Sequence, residues 1–419
     1  MNKTIRRDVT IEDCVLLIAW AAFFLPPIIP RISSAASHAL SLAGYAAFLV
    51  LFIYRKKELP VKTDVLLYLV FVGYCILILI LKSPGKFPLL ARRNLLPAFT
   101  SIFLIKWTFD RNPRALSLLY HLCSFYIFLN FFTLILYPNG IIKSSIGSSV
   151  ERAQWLLGSK NNIPLYMILF TTIAAYYYYT VRRTRTLYVL VVIAVITIIM
   201  SGEDGREFME GSSTGIAAYA AIVMLFAYYL HGERTRTATV SAKVIFILVM
   251  VTSFVLVTGQ SLPGMEKIIV GVFHKELSFT GRTYIWNNNL SAVAQNPIFG
   301  HGDEGVIAHT LIGNVWQSTE YTYNLILKLL MNYGIVGLGL FIAMILRIDR
   351  GHETSDCILF SGFIGLMIIG MMNEISLEWL LFLPVSLISF QKSMPPATVG
   401  SAGKVPVNSR KSLGLRIKF

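Results

Sequence analysis

The chain has 419 residues, of which 55% are hydrophobic and 14% charged, with a formal net charge of +15 and a mean hydropathy of +0.64. That balance lies outside the range of a soluble domain of this length, so water is excluded as its main solvent. The basic excess sits in short loops beside apolar runs, where anionic inner-leaflet lipid is the natural partner and no nucleic acid is expected.

In chain order, apolar runs predict membrane helices near 13–30, 37–54, 64–81, 94–107, 115–137, 163–181, 187–201, 214–230, 242–258, 326–346, 356–372 and 375–391. Each approaches the length that crosses a hydrocarbon core of about 30 Å, so the expected fold is all-α, a polytopic integral membrane protein with about 12 transmembrane helices. The first run follows Lys3, Arg6 and Arg7 and ends in Pro26, Pro27 and Pro30. It superficially resembles a signal peptide, but no small-residue cleavage site follows, and it reads as a first membrane helix. The fourth run is short and interrupted by Pro97.

Placing both termini in the cytoplasm puts most Lys and Arg residues inside, as basic residues prefer. Cys14, Cys75, Cys123 and Cys357 are scattered without paired spacing and read as packing residues. Four consecutive tyrosines, Tyr176 to Tyr179, sit beside Arg182 and Arg183 and read as an interfacial belt. The domain plan is then helices one to nine over 1–258, one long extracytoplasmic loop between helices 9 and 10 over 259–325, helices ten to twelve over 326–391, and a basic, disordered cytoplasmic tail over 392–419. No internal repeat is visible, against transporter folds built from two similar halves.

Loops as long as the one after the ninth span usually carry function. It holds Thr280-Gly281-Arg282 followed by Trp286, then Asn296-Pro297-Ile298-Phe299-Gly300-His301-Gly302, then Tyr323-Asn324-Leu325. Tyr333-Gly334-Ile335-Val336-Gly337-Leu338 follows, together with the upstream Gly158 to Asn162 and Ser212 to Gly215.

In this order and position, the set resembles the Wzy-type polysaccharide polymerase and O-antigen ligase superfamily. The resemblance implies a GT-C-like, metal-independent glycosyltransferase without a cofactor. It would act on undecaprenyl-pyrophosphate-linked oligosaccharide at the outer face of the bacterial cytoplasmic membrane, with membrane lipid and a chain-length regulator protein as further partners. Such a site must neutralise the departing pyrophosphate, a task suited to bidentate guanidinium groups.

Arg282, where the family motif places a functional arginine, is the first candidate. Arg92 and Arg93, outside between spans three and four, and Arg206 after the seventh span are further phosphate clamps. Glu320 and His309 are candidate bases for the acceptor hydroxyl, Trp286 a sugar contact, and Asn324 the residue opening the tenth span. Tyr323 stands where O-antigen ligases typically have His, and tyrosine is a poor base near neutral pH. That departure favours polymerase over ligase. A flippase would need ionisable residues inside several spans, and Lys328 is the main one here.

Overall fold

The structure, a computed structural model, describes residues 10–54, 63–85, 96–109, 113–145, 151–181, 185–202, 212–231, 242–258, 282–302, 308–312, 315–319, 322–348, 354–373 and 375. In chain order the elements are α1 (Ile11–Phe23), α2 (Ile28–Ile32), α3 (Ser34–Tyr54), α4 (Thr63–Lys82), α5 (Leu96–Phe109) and α6 (Pro113–Leu136). A hairpin of β1 (Ile142–Ser145) and β2 (Glu151–Gln154) follows, then α7 (Ile163–Thr180), α8 (Thr186–Met200), α9 (Ser213–His231), α10 (Ala242–Thr258) and α11 (Arg282–Gln295). A second hairpin, β3 (Ala308–Ile312) and β4 (Val315–Thr319), precedes α12 (Leu325–Ile348) and α13 (Thr354–Gly370).

Helices dominate, as the all-α expectation has it, and two short antiparallel strand pairs are added in the connections between helices. Four- and five-residue strands give too short an alternation to stand out from polar loop sequence. The first predicted span is also two helices, α1 and α2. Pro26 and Pro27 fall at the break, where proline removes a backbone donor and its ring clashes with the preceding turn. Pro97, by contrast, sits in the first turn of α5, where its missing N–H disturbs no helical bond. The proposed twelfth span and the tail lie outside the described residues.

Among the described residues, four helices are long and apolar enough to cross a membrane: Ser34–Tyr54, Arg114–Leu136, Ser213–Leu230 and Leu325–Leu346. Shorter apolar helices, among them Thr186–Met200 and Lys243–Thr258, accompany them. Large apolar side chains such as Leu42, Phe254 and Met224 point outward from α3, α10 and α9. A continuous outward apolar surface of this kind is untenable in water and natural in lipid. The chain is an integral membrane protein.

Helix α7 is the central pillar, buried almost without interruption from Ile163 to Tyr177, as a helix apolar on all faces should be. It packs against α6, α8, α9 and α13. Tyr176 and Tyr177 therefore belong to the core rather than to a belt, Tyr177 stacking on Tyr120 with centroids 4.3 Å apart.

Polar contacts fix the relative directions of the helices. At one end, Thr10 and Asp13 form a capping box on α1, and Asp13 accepts Arg114 of α6 at 2.7 Å. At the other, Asn373 after α13 donates to the Asn161 carbonyl before α7 at 3.3 Å, and Asn324 before α12 donates to the Met371 carbonyl at 3.0 Å.

Candidate functional site

The end of the bundle marked by Asn161, Asn324 and Asn373 is also where α11 begins. Arg282 is the first residue of that helix. Its guanidinium carbon lies 5.2 Å from the ring centroid of Tyr323, within the range of a cation–π contact. Two residues 41 positions apart in the chain thus meet face to ring. Arg282 is half-buried, as is Tyr323.

The Tyr323 backbone has φ 48°, a left-handed conformation that costs a non-glycine residue roughly 1–3 kcal/mol. Its neighbours hold it there. Trp286, fully buried one turn after Arg282, donates its indole N–H to the Thr322 carbonyl at 3.0 Å, and the Thr322 hydroxyl donates to the Asn324 carbonyl at 3.2 Å. The Asn324 side chain caps α12, accepting from the Leu327 N–H at 3.0 Å through Oδ1, while Nδ2 ties the cap to α13. Trp286 and Asn324 are thus engaged in holding the 322–324 turn, and the fully buried Trp286 ring is not presented to a sugar.

Behind this turn, α12 is interrupted. Gly334 has φ 64° and ψ −168° inside it, and the Pro297 to Gly302 segment fills the gap. The Met331 and Asn332 carbonyls accept from the N–H groups of His301 (2.8 Å) and Gly302 (2.9 Å), while Ile335 and Val336 donate to the carbonyls of Pro297 (2.8 Å) and Ile298 (3.3 Å). Tyr74 of α4 donates its hydroxyl to the Tyr333 carbonyl at 2.8 Å. These bonds take up the Met331, Asn332 and Tyr333 carbonyls and the Ile335 and Val336 N–H groups at the break. His301 contacts the Ala292 carbonyl at 2.7 Å through Nε2, which ties the turn back onto α11.

The N-termini of α7, α9, α11 and α12 open at this same end, and none of them has an acidic residue in its first turn. Gly215 in the first turn of α9 is so close to Pro164 of α7 that a Cβ would overlap the proline ring. The partial positive charges of these N-termini are offset by the C-termini of α6, α8, α10 and α13 at the same end, so the full charge here is that of Arg282, at the position a helix least favours for a cation. A guanidinium is complementary to an anion.

Among the other predicted residues, His309 lies on β3, its backbone paired with Ser318. Arg92, Arg93, Arg206 and Glu320 lie outside the described residues. Sequence reasoning passed over Asn289, two turns after Arg282, whose side chain is 1% exposed and whose Nδ2 has no hydrogen-bond partner among the described residues. The only signal for it was the spacing of 282, 286 and 289 along one helical face.

Residues 207–342 match the family described as "O-Antigen ligase". The superfamily resemblance stands. The matched segment contains Arg282, Trp286, His309, Glu320, Tyr323 and Asn324, and also Gly300, Gly302 and Gly334. The chain is similar as well to the exopolysaccharide production protein ExoQ of Rhizobium meliloti (strain 1021), 32% identical over 93 residues, 22% of this chain. The similarity spans 20% of that relative's own length.

Proposed function

We propose that the protein is a polymerase that transfers a growing glycan from an undecaprenyl-pyrophosphate carrier onto the next lipid-linked repeat unit, at the outer face of the bacterial cytoplasmic membrane. The observation that carries this reading is the Arg282 guanidinium held over the Tyr323 ring at the head of α11. The glycosidic C–O bond to phosphate breaks, the acceptor oxygen bonds to the same carbon, and the lipid pyrophosphate leaves with the bonding electrons. Arg282 stabilises that developing charge, its fork matching two phosphate oxygens. Tyr323 holds the fork in place. The acceptor proton passes to Glu320 or His309.

Arg92, Arg93 and Arg206 are assigned to binding the carrier pyrophosphate. Charge neutralisation is given to arginine rather than to a metal, so the reaction is expected to survive chelator. A protein that sets chain length is a further partner of this reading.

The second reading is a ligase that hands the chain to a different acceptor, which the name of the matched family favours and Tyr323 in place of His disfavours. Purified protein in nanodiscs, given lipid-linked repeat units and EDTA, separates them. A polymerase builds a ladder of lengths unaided. Consumption of donor only after a second type of acceptor is added would establish the ligase, and loss of all activity in EDTA would overturn metal independence.

A further inference from the structure

Away from the O-antigen ligase segment, a cavity of about 400 Å³ lies among α1, α2, α3 and α5, with Tyr166 of α7 in its wall. That volume falls within the range of about 300–1,000 Å³ usual for ligand sites. Helices α1 and α3 approach so closely at Gly44 that a Cβ there would overlap the Ala22 methyl, and this contact forms one wall.

The lining is graded. On α3 it begins with Ser34, Ser37, His38 and Ser41 and ends at Phe48, roughly 20 Å further along the helix. On α5 it runs the same way, from Thr100 to Leu104. Two helices therefore present hydroxyl and imidazole groups at one end of the cavity and apolar side chains at the other. The polar end lies level with the first turn of α7, through Tyr166, and so at the end of the bundle where α11 and α12 begin.

We infer that this cavity binds a lipid with an uncharged, hydroxylated head, of the glycosylated acylglycerol class, its head against Ser37, His38 and Ser41 and one acyl chain against Phe48 and Leu104. No Lys, Arg, Asp or Glu lines the cavity among the described residues. Ser34 and His38 at this end are exposed, so a head there keeps part of its hydration, and no cation in the lining favours a phosphate over a neutral sugar. Hydroxyls and imidazole instead both donate and accept, which matches sugar hydroxyls. The inference stands apart from the transfer reaction, since none of these residues belongs to the Arg282 site.

The test uses the full chain in nanodiscs of phosphatidylethanolamine and phosphatidylglycerol. These are doped either with a glycosyl diacylglycerol carrying a diazirine in one acyl chain or with phosphatidylglycerol carrying the same diazirine. Cross-linked peptides are mapped by mass spectrometry. The glycosyl probe is expected to concentrate on residues 34–48 and 97–104, about tenfold above the phosphatidylglycerol probe, the equivalent of one or two net hydrogen bonds. The double variant Ser37→Ala/Ser41→Ala keeps the volume and should cut that labelling about tenfold, and Ser41→Phe should abolish it by filling the space. Equal labelling by the two probes, labelling spread evenly over the lipid-facing surface, no labelling, or undiminished labelling of the double variant each overturns the proposal. Size-exclusion profiles matching the unsubstituted protein show that the double variant is folded.

Discussion

In the proposed mechanism Arg282 and Tyr323 act as a pair, and the pair separates the roles of charge, geometry and hydroxyl. Tyr323→Phe keeps the ring under the guanidinium and should retain most chain lengthening, whereas Tyr323→Ala removes a cation–π contact of about 1–2 kcal/mol and should slow it roughly tenfold. Arg282→Lys keeps the charge but loses the planar fork, and should remain impaired. Rates of ladder formation by these three variants check the assignment. A Tyr323→Phe variant as inactive as Tyr323→Ala would mean that the hydroxyl, not the ring, matters. Of the residues singled out in the sequence, Arg282, Trp286, Tyr323 and Asn324 gather at one turn. The sequence did not reveal how they meet. A stack across 41 residues and an amide that ties a helix cap to α13 depend on tertiary geometry, which no local spacing encodes.

Among the elements, the interruption of α12 is the clearest mechanical feature. The Gly-x-Gly turn and Gly334 were legible as motif positions, but not as two halves of one joint, because the joint consists of backbone hydrogen bonds between them. A Cβ at Gly334 would overlap the Ile298 carbonyl and would force a side chain into a backbone region open essentially to glycine alone. Gly334→Ala is expected to destabilise the protein by on the order of 3 kcal/mol, from backbone strain and overpacking together. Thermal unfolding in detergent checks this. Gly339→Ala, on the same helix where an added methyl would meet open space, serves as the control and should leave the transition unmoved. The helices themselves were largely legible, because apolar runs of membrane length leave few alternatives. The exceptions follow from proline and from length. Pro26 and Pro27 divide the first span, Pro97 does not harm the fourth because of its place in the first turn, and two hairpins are too short to carry a strand signal.

Over the whole molecule, the paired helix ends define two faces. Asp13 and Arg114 mark one, and Asn161, Asn324, Asn373 and Arg282 mark the other. The proposed function requires the second to face outward. Tyr284, 56% exposed on α11, reports this when replaced by cysteine in a Cys14→Ser background, the remaining three cysteines being buried. A membrane-impermeant maleimide added to intact spheroplasts should label Tyr284→Cys; labelling only after lysis would put the site on the cytoplasmic side.

The proposed mechanism turns on Arg282, at the head of α11, stabilising the departing lipid pyrophosphate. Purified protein with lipid-linked repeat units is predicted to yield a ladder of polymer lengths, and Arg282→Ala, inserted and monodisperse, to form it at least about 100-fold more slowly, as for loss of a group that neutralises transition-state charge. A ladder of normal length and rate from Arg282→Ala would contradict it.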